Sequence, residues 1–186
     1  MDVILPVFVA ILLAETDGAF QNAAHRLAGR FSARTPIYAA LALVTLINLS
    51  IGGIGGALIA QIINFQSRSL IAGLALLFAG APMLIALKPS APVTGTRPFW
   101  TSVGIFTRAQ LGGASQFIVF AFAARTDMAA LALGGGMAAM LIIATLPLLL
   151  DQDWPSGAPM VLLRRLAAVI LIITGFWMIL AALRIL

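Results

Sequence analysis

The sequence has no cysteine, so disulfides and thiolate metal centres are excluded and the redox compartment is left undefined. It has one histidine and no Ser-His-Asp set, HExxH helix or phosphate-cradling glycine loop, so an enzyme is not expected. Charge is scarce as well: 9% of the 186 residues are Asp, Glu, Lys or Arg, where soluble domains carry about a quarter. What fills the chain instead is apolar. Hydrophobic residues make up 62%, mean hydropathy is +1.10, and the composition is that of an integral membrane protein. No Lys or Arg precedes the first apolar run, and Glu15 and Asp17 interrupt it. That run is therefore read as part of the mature protein and not as a cleaved signal peptide.

A membrane-crossing helix needs about 20 mainly apolar residues, because lipid offers the backbone no hydrogen-bond partner. Six stretches meet this, roughly 3 to 24, 37 to 63, 69 to 87, 99 to 123, 128 to 150 and 163 to 185. They leave no room for a separate soluble domain. The breaker-rich stretch 89–98 divides the chain into 1–88 and 99–186. The net charge of +5 is spread over segment ends and forms no single patch, so it marks topology and not a nucleic-acid partner. Loops one, three and five hold Arg26, Arg30, Arg34, Lys88, Arg97, Arg164 and Arg165, against Arg68, Arg125 and Arg184 on the other side. This bias puts the odd loops in the cytoplasm of a bacterial-type cell and both termini outside its inner membrane. Trp100, Trp154 and Trp177 lie near segment ends or in outer turns, where an indole suits the interface.

Two stretches match at an offset of 95 residues: Ala14 to Gln21, and Ala109 to Gln116. Ala14/Ala109, Gly18/Gly113, Ala19/Ala114 and Gln21/Gln116 are identical, and Glu15 faces its amide analogue Gln110. Arg30/Arg125 keep the offset, as do Ala72/Ala167, Leu76/Leu171, Gly80/Gly175, Met83/Met178 and Ala86/Ala181. The constant offset favours an internal repeat of three helices. Three is odd, so the halves enter the membrane with opposite orientation, and the expected fold is all-α, six transmembrane helices as two inverted three-helix repeats. Glu15 and Gln110 then sit at similar depth near the repeat interface. A midplane carboxylate costs about 2.5 to 3.5 kcal/mol on insertion scales, which makes a functional role the default reading. Hard cations such as Mn2+ or Ca2+ favour carboxylate, amide and carbonyl oxygens, and this interface supplies all three.

At these motifs the sequence resembles the cation/proton antiporters related to transmembrane protein 165, also catalogued as uncharacterised protein family 16. That family carries E-x-G-D-[KR]-[ST] in the first helix of each half, followed by Gln and a Leu-Ala-x-Arg-like end. Glu15, Gln21 and Leu27-Ala28-Gly29-Arg30 match in the first copy; Gly112, Ser115, Gln116 and Phe122-Ala123-Ala124-Arg125 match in the second. The resemblance implies exchange of Mn2+ or Ca2+ against protons, with the metal as cargo, no resident cofactor, and lipid as surroundings; a homodimer is compatible with it. The departures are specific. Asp17 stands one place early, about 200° from Glu15 on a regular helix, so both carboxylates reach one ion only if the helix unwinds near Gly18. Ala19 and Ala114 replace the basic residue, and the second copy has no acid.

The candidate cation ligands are thus Glu15 and Asp17, with Gln110, Ser115, Gln116 and Gln21 completing the shell. Arg108, two residues before Gln110, needs an anionic partner if it faces the bundle, and Glu15 or Asp17 is the obvious one. A permanent pair would make the site structural and the protein a non-transporting scaffold; an Arg108 that snorkels leaves Glu15 free. With so few acids, a monovalent cation or small solute is a further reading of the cargo. Asn48 is read as a packing amide or a residue lining the path, His25 beside Arg26 as a solvated interfacial side chain, and the glycine runs as packing surfaces more than hinges.

Overall fold

The computed structural model describes residues 3–16, 18–85, 93–150 and 158–184. Among these there is no strand, and eight helices account for nearly all of them: α1 (Ile4–Glu15), α2 (Ala19–Arg30), α3 (Thr35–Ile62), α4 (Phe65–Gly80), α5 (Pro98–Gln110), α6 (Ala114–Thr126), α7 (Ala129–Leu150) and α8 (Ala158–Ala182). Pro36 and Pro98 occupy first turns, where a missing N–H costs nothing. Asn64 caps α4 by accepting from the Ser67 N–H at 2.9 Å. Pro82 cannot continue the ladder, and α4 tightens there into a 3-10 turn, Ala81–Leu84.

The protein is a multi-pass membrane protein, and its spans differ from the six expected. Four helices are long and apolar enough to cross: Thr35–Ile62, Phe65–Leu84, Ala129–Leu149 and Pro159–Ala182. A fifth crossing results if α1 and α2, bent by 65°, count as one broken span. The expected continuous segment at 99–123 is instead two 13-residue helices, α5 and α6. Each is too short to span alone, and together they carry Arg108 and Arg125. The basic run expected as the first loop is largely helical too, since α2 continues to Arg30. Of the linker 89–98, residues 89–92 lie outside the described residues, as do Lys88 and the loop Asp151–Pro155.

Small residues set the packing, as close helix approach in lipid requires. A Cβ at Gly56 of α3 would stand 2.5 Å from the Phe120 carbonyl oxygen of α6, and one at Gly52 would stand 2.6 Å from that of Gln116. Helices α4 and α8 cross just as tightly: a Cβ at Gly73 would lie 2.6 Å from the Gly175 oxygen, and one at Gly80 would lie 2.9 Å from that of Ala168. Moving up α4 means moving down α8, so the two are antiparallel. Adding 95 to Gly80 and subtracting it from Ala168 gives Gly175 and Gly73, so these two contacts exchange with each other. Helix α7 likewise runs antiparallel to α3, with Leu133 against Gly53 and Gly136 against Leu49. The outer face of α3 turns Leu46, Ile47, Ile51, Ile54 and Leu58 outward as lipid-facing surface.

One end of the molecule is closed by polar contacts. Arg68 pairs with Asp127 at 2.7 Å, Arg125 donates to the Ser69 hydroxyl and lies over the Phe65 ring at 5.0 Å, and Arg184 meets the Gln66 amide at 2.8 Å. The three arginines counted on the less basic side therefore gather at one end.

Candidate functional site

Helix α1 stops at Glu15 because Thr16 leaves helical geometry (φ −59°, ψ 129°), and α2 begins after an extended Gly18 (φ −80°, ψ 170°). The second copy repeats this with Leu111 (φ −60°, ψ 120°) and Gly113 (φ −73°, ψ 162°). The bridging bonds repeat too: the Gly18 N–H donates to the Glu15 carbonyl at 2.9 Å, and the Gly113 N–H to that of Gln110 at 2.8 Å. In the second break Gly112 takes a left-handed φ of 68°, which suits glycine. The helix thus unwinds near Gly18, the condition for Asp17 to share a site with Glu15; Asp17 itself lies outside the described residues.

Each break exposes the N-terminal amides of the following helix. Glu15 uses those of the other copy: its Oε1 accepts from the Ser115 N–H, in the first turn of α6, at 3.3 Å. A carboxylate is favourable there because a helix N-terminus is positive. The two breaks border an open-sided cleft of about 160 Å³, lined by Glu15 and Gly18 on one side, Gly112 to Ala114 on another, and Pro82 and Met83 at the end of α4. Arg164, in the second turn of α8, closes the ring.

The expected residues divide between several places. Glu15 and Ser115, both buried, meet as described. Gln110 is also buried but turns to α3, where its Nε2 donates to Thr45 Oγ1 at 2.8 Å while its Oε1 has no partner. It lines a separate, largely apolar groove with Asn48 and Thr107, and neither polar atom of the Asn48 amide is bonded. Gln116 caps the turn, its Oε1 accepting from the Gly112 N–H at 3.1 Å. Gln21 is buried in α2 and does not border the cleft.

Arg108 requires a correction. It is exposed and borders neither cavity, so the ion pair with Glu15 is not formed. The reason is helical: Gln110 points inward, and two residues turn Arg108 about 200° away from it. The cation that does line the cleft with Glu15 is Arg164, which is buried. Sequence reading places Arg164 with Arg165 in a cytoplasmic loop. The signal that separates them is the start of α8 at Ala158, six residues earlier than Arg164, which puts the pair on a helix with Arg164 inward and Arg165 outward. Among the described residues, no three Asp, Glu or His side chains gather as a metal-binding group.

Residues 98–185, just under half of the chain, match the family model described as Divalent cation/proton antiporter GDT1. The resemblance to that family is thus carried by the second half of the chain. No curated protein and no solved structure matches the chain. That family is described as one of divalent cation/proton antiporters. The matched half carries Gln110 and Ser115, whereas the acid that faces the cleft, Glu15, comes from the half outside the match.

Proposed function

We propose that the chain exchanges a divalent cation, Mn2+ first and Ca2+ second, for protons at Glu15, by alternating access between two inverted halves, 1–88 and 99–186. The observation that carries this reading is the junction itself: the Glu15 carboxylate of one half is held by the helix N-terminus of the other, beside a cleft. The shared backbone geometry of the two breaks and the antiparallel α3/α7 and α4/α8 pairs support the inverted arrangement. A bare charge at mid-membrane costs about 2.5 to 3.5 kcal/mol, so Glu15 is occupied by either a cation or a proton, and alternation between these occupants is antiport. Ser115 orients the carboxylate, and Asp17 would supply a second acid across the unwound turn. The cleft lies towards the ends of α4 and the start of α8, which the charge bias assigns to the cytoplasm of a bacterial-type inner membrane. The Arg68–Asp127 end is the closed exterior.

In proteoliposomes carrying a proton gradient and an internal Mn2+ indicator, the wild-type protein should move Mn2+ against the proton flow. Glu15→Gln should abolish the movement. Unchanged flux in Glu15→Gln would sink the mechanism. One observation favours a second cargo: the only acid that lines the described cleft shares it with Arg164, an arrangement better matched to a monovalent cation. Na+ and K+ belong in the same assay.

A further inference from the structure

Among the described residues lining the cleft, two are charged, Glu15 and Arg164. Glu15 is 7% exposed and Arg164 9%, so neither charge is dispersed by water as a surface pair would be. They come from opposite ends of the chain, one at the end of α1 and one in the second turn of α8, and the breaks bring α8 alongside the carboxylate. Arg165, the next residue, is exposed, so the inward turn of Arg164 is set by helix geometry and not by an overall basic surface.

We propose that Arg164 is a specificity-determining residue, a built-in cation that competes with the cargo for Glu15. When the cargo leaves, the guanidinium offsets the charge of the carboxylate until a proton takes the cargo's place. When cargo arrives, it must displace that interaction. Arg164 therefore weakens cation binding and does so most for ions of high charge, because an added +2 is repelled by a fixed +1 twice as strongly as an added +1 is. The side chain filters cargo by charge and keeps affinity low enough for release. This inference rests on Glu15 as the cation site.

The absence of native cysteine permits a direct test. Purified protein is titrated with Mn2+ alone and with Na+ alone in wild type, Glu15→Gln, Arg164→Gln, Arg165→Gln and Arg164→Cys. Arg164→Gln and Arg164→Cys should tighten Mn2+ binding on the order of tenfold or more, and Na+ binding less. Attachment of a cationic methanethiosulfonate to Cys at 164 should restore weak binding, whereas a neutral reagent of the same size should not. Arg165→Gln should match wild type. Restoration by charge is what a merely structural role would not give. If Arg164→Gln binds Mn2+ no more tightly than wild type while Glu15→Gln abolishes binding, the inference fails and the cation site stands. If neither wild type nor Arg164→Gln binds Mn2+ or Na+, both fail. A variant that aggregates moves the test to the wild-type infrared difference spectrum. Adding Mn2+ should shift a guanidinium band that Arg164→Lys lacks, and an unshifted band overturns the proposal.

Discussion

Glu15 sits where three residue-level demands coincide: Thr16 ends its helix, Gly18 leaves room beside its carboxylate, and Ser115 donates to it from another helix. The role of Gly18 is steric. A Cβ there would stand 2.8 Å from the Glu15 carbonyl oxygen and 3.1 Å from its Oε2. Gly18→Ala should therefore push the carboxylate off Ser115 and weaken Mn2+ binding by about tenfold or more, equivalent to about 1.4 kcal/mol. Isothermal titration checks this. The overall fold should survive, since the clash touches one turn. Much of this residue scale is legible in the sequence, because a Glu in an apolar run stands out and its repeat partner points to the facing helix. Arg164 is not legible in the same way. A basic doublet at a segment end looks the same whether both members face water or one turns inward, and only the true start of α8 separates the two. Arg108 misleads for the opposite reason: it lies close in sequence to Gln110 but on the opposite face.

At the scale of elements, Gly52, Gly56, Gly73, Gly80 and Gly175 are positions of close helix contact. Gly73 and Gly175 meet backbone to backbone, where the neighbour cannot move aside as a flexible side chain could. Gly73→Val should lower stability by about 1 to 3 kcal/mol, the usual cost of overpacking, and should lower the detergent melting temperature. Gly104, whose added Cβ would meet nothing within 4 Å, is the control. Gly104→Ala should be neutral or stabilise by up to about 1 kcal/mol through helix propensity. Hydropathy locates α3 and α7 to within two residues and α4 and α8 less closely, because a long apolar run has one stable form in lipid but its ends are set by turns and caps. It does not show the breaks at 16–18 and 111–113. Apolar residues flank both breaks, so a window average runs across them. The glycines and the polar residues inside the motifs are the only local sign.

For the whole molecule, the described residues form two ends of different character. At one end Arg68–Asp127 and Arg125–Ser69 tie α4 to α6 and the turn that follows it; towards the other, the cleft lies beside Glu15. The 95-residue offset found in the sequence carries through to backbone angles at the breaks and to the exchanged Gly80–Ala168 and Gly73–Gly175 contacts. In the proposed mechanism this frame presents Glu15 to each side in turn, and the acid accepts one occupant at a time. The most direct measurement of that claim is proton release on cation binding: Mn2+ is added to purified protein in weakly buffered detergent solution while pH and bound Mn2+ are followed together. Mn2+ binding should release protons and should weaken as pH falls, because both compete for one carboxylate, and Glu15→Gln should lose binding and release together. Binding that persists in Glu15→Gln, or that releases no protons in wild type at any pH, would contradict a single shared site.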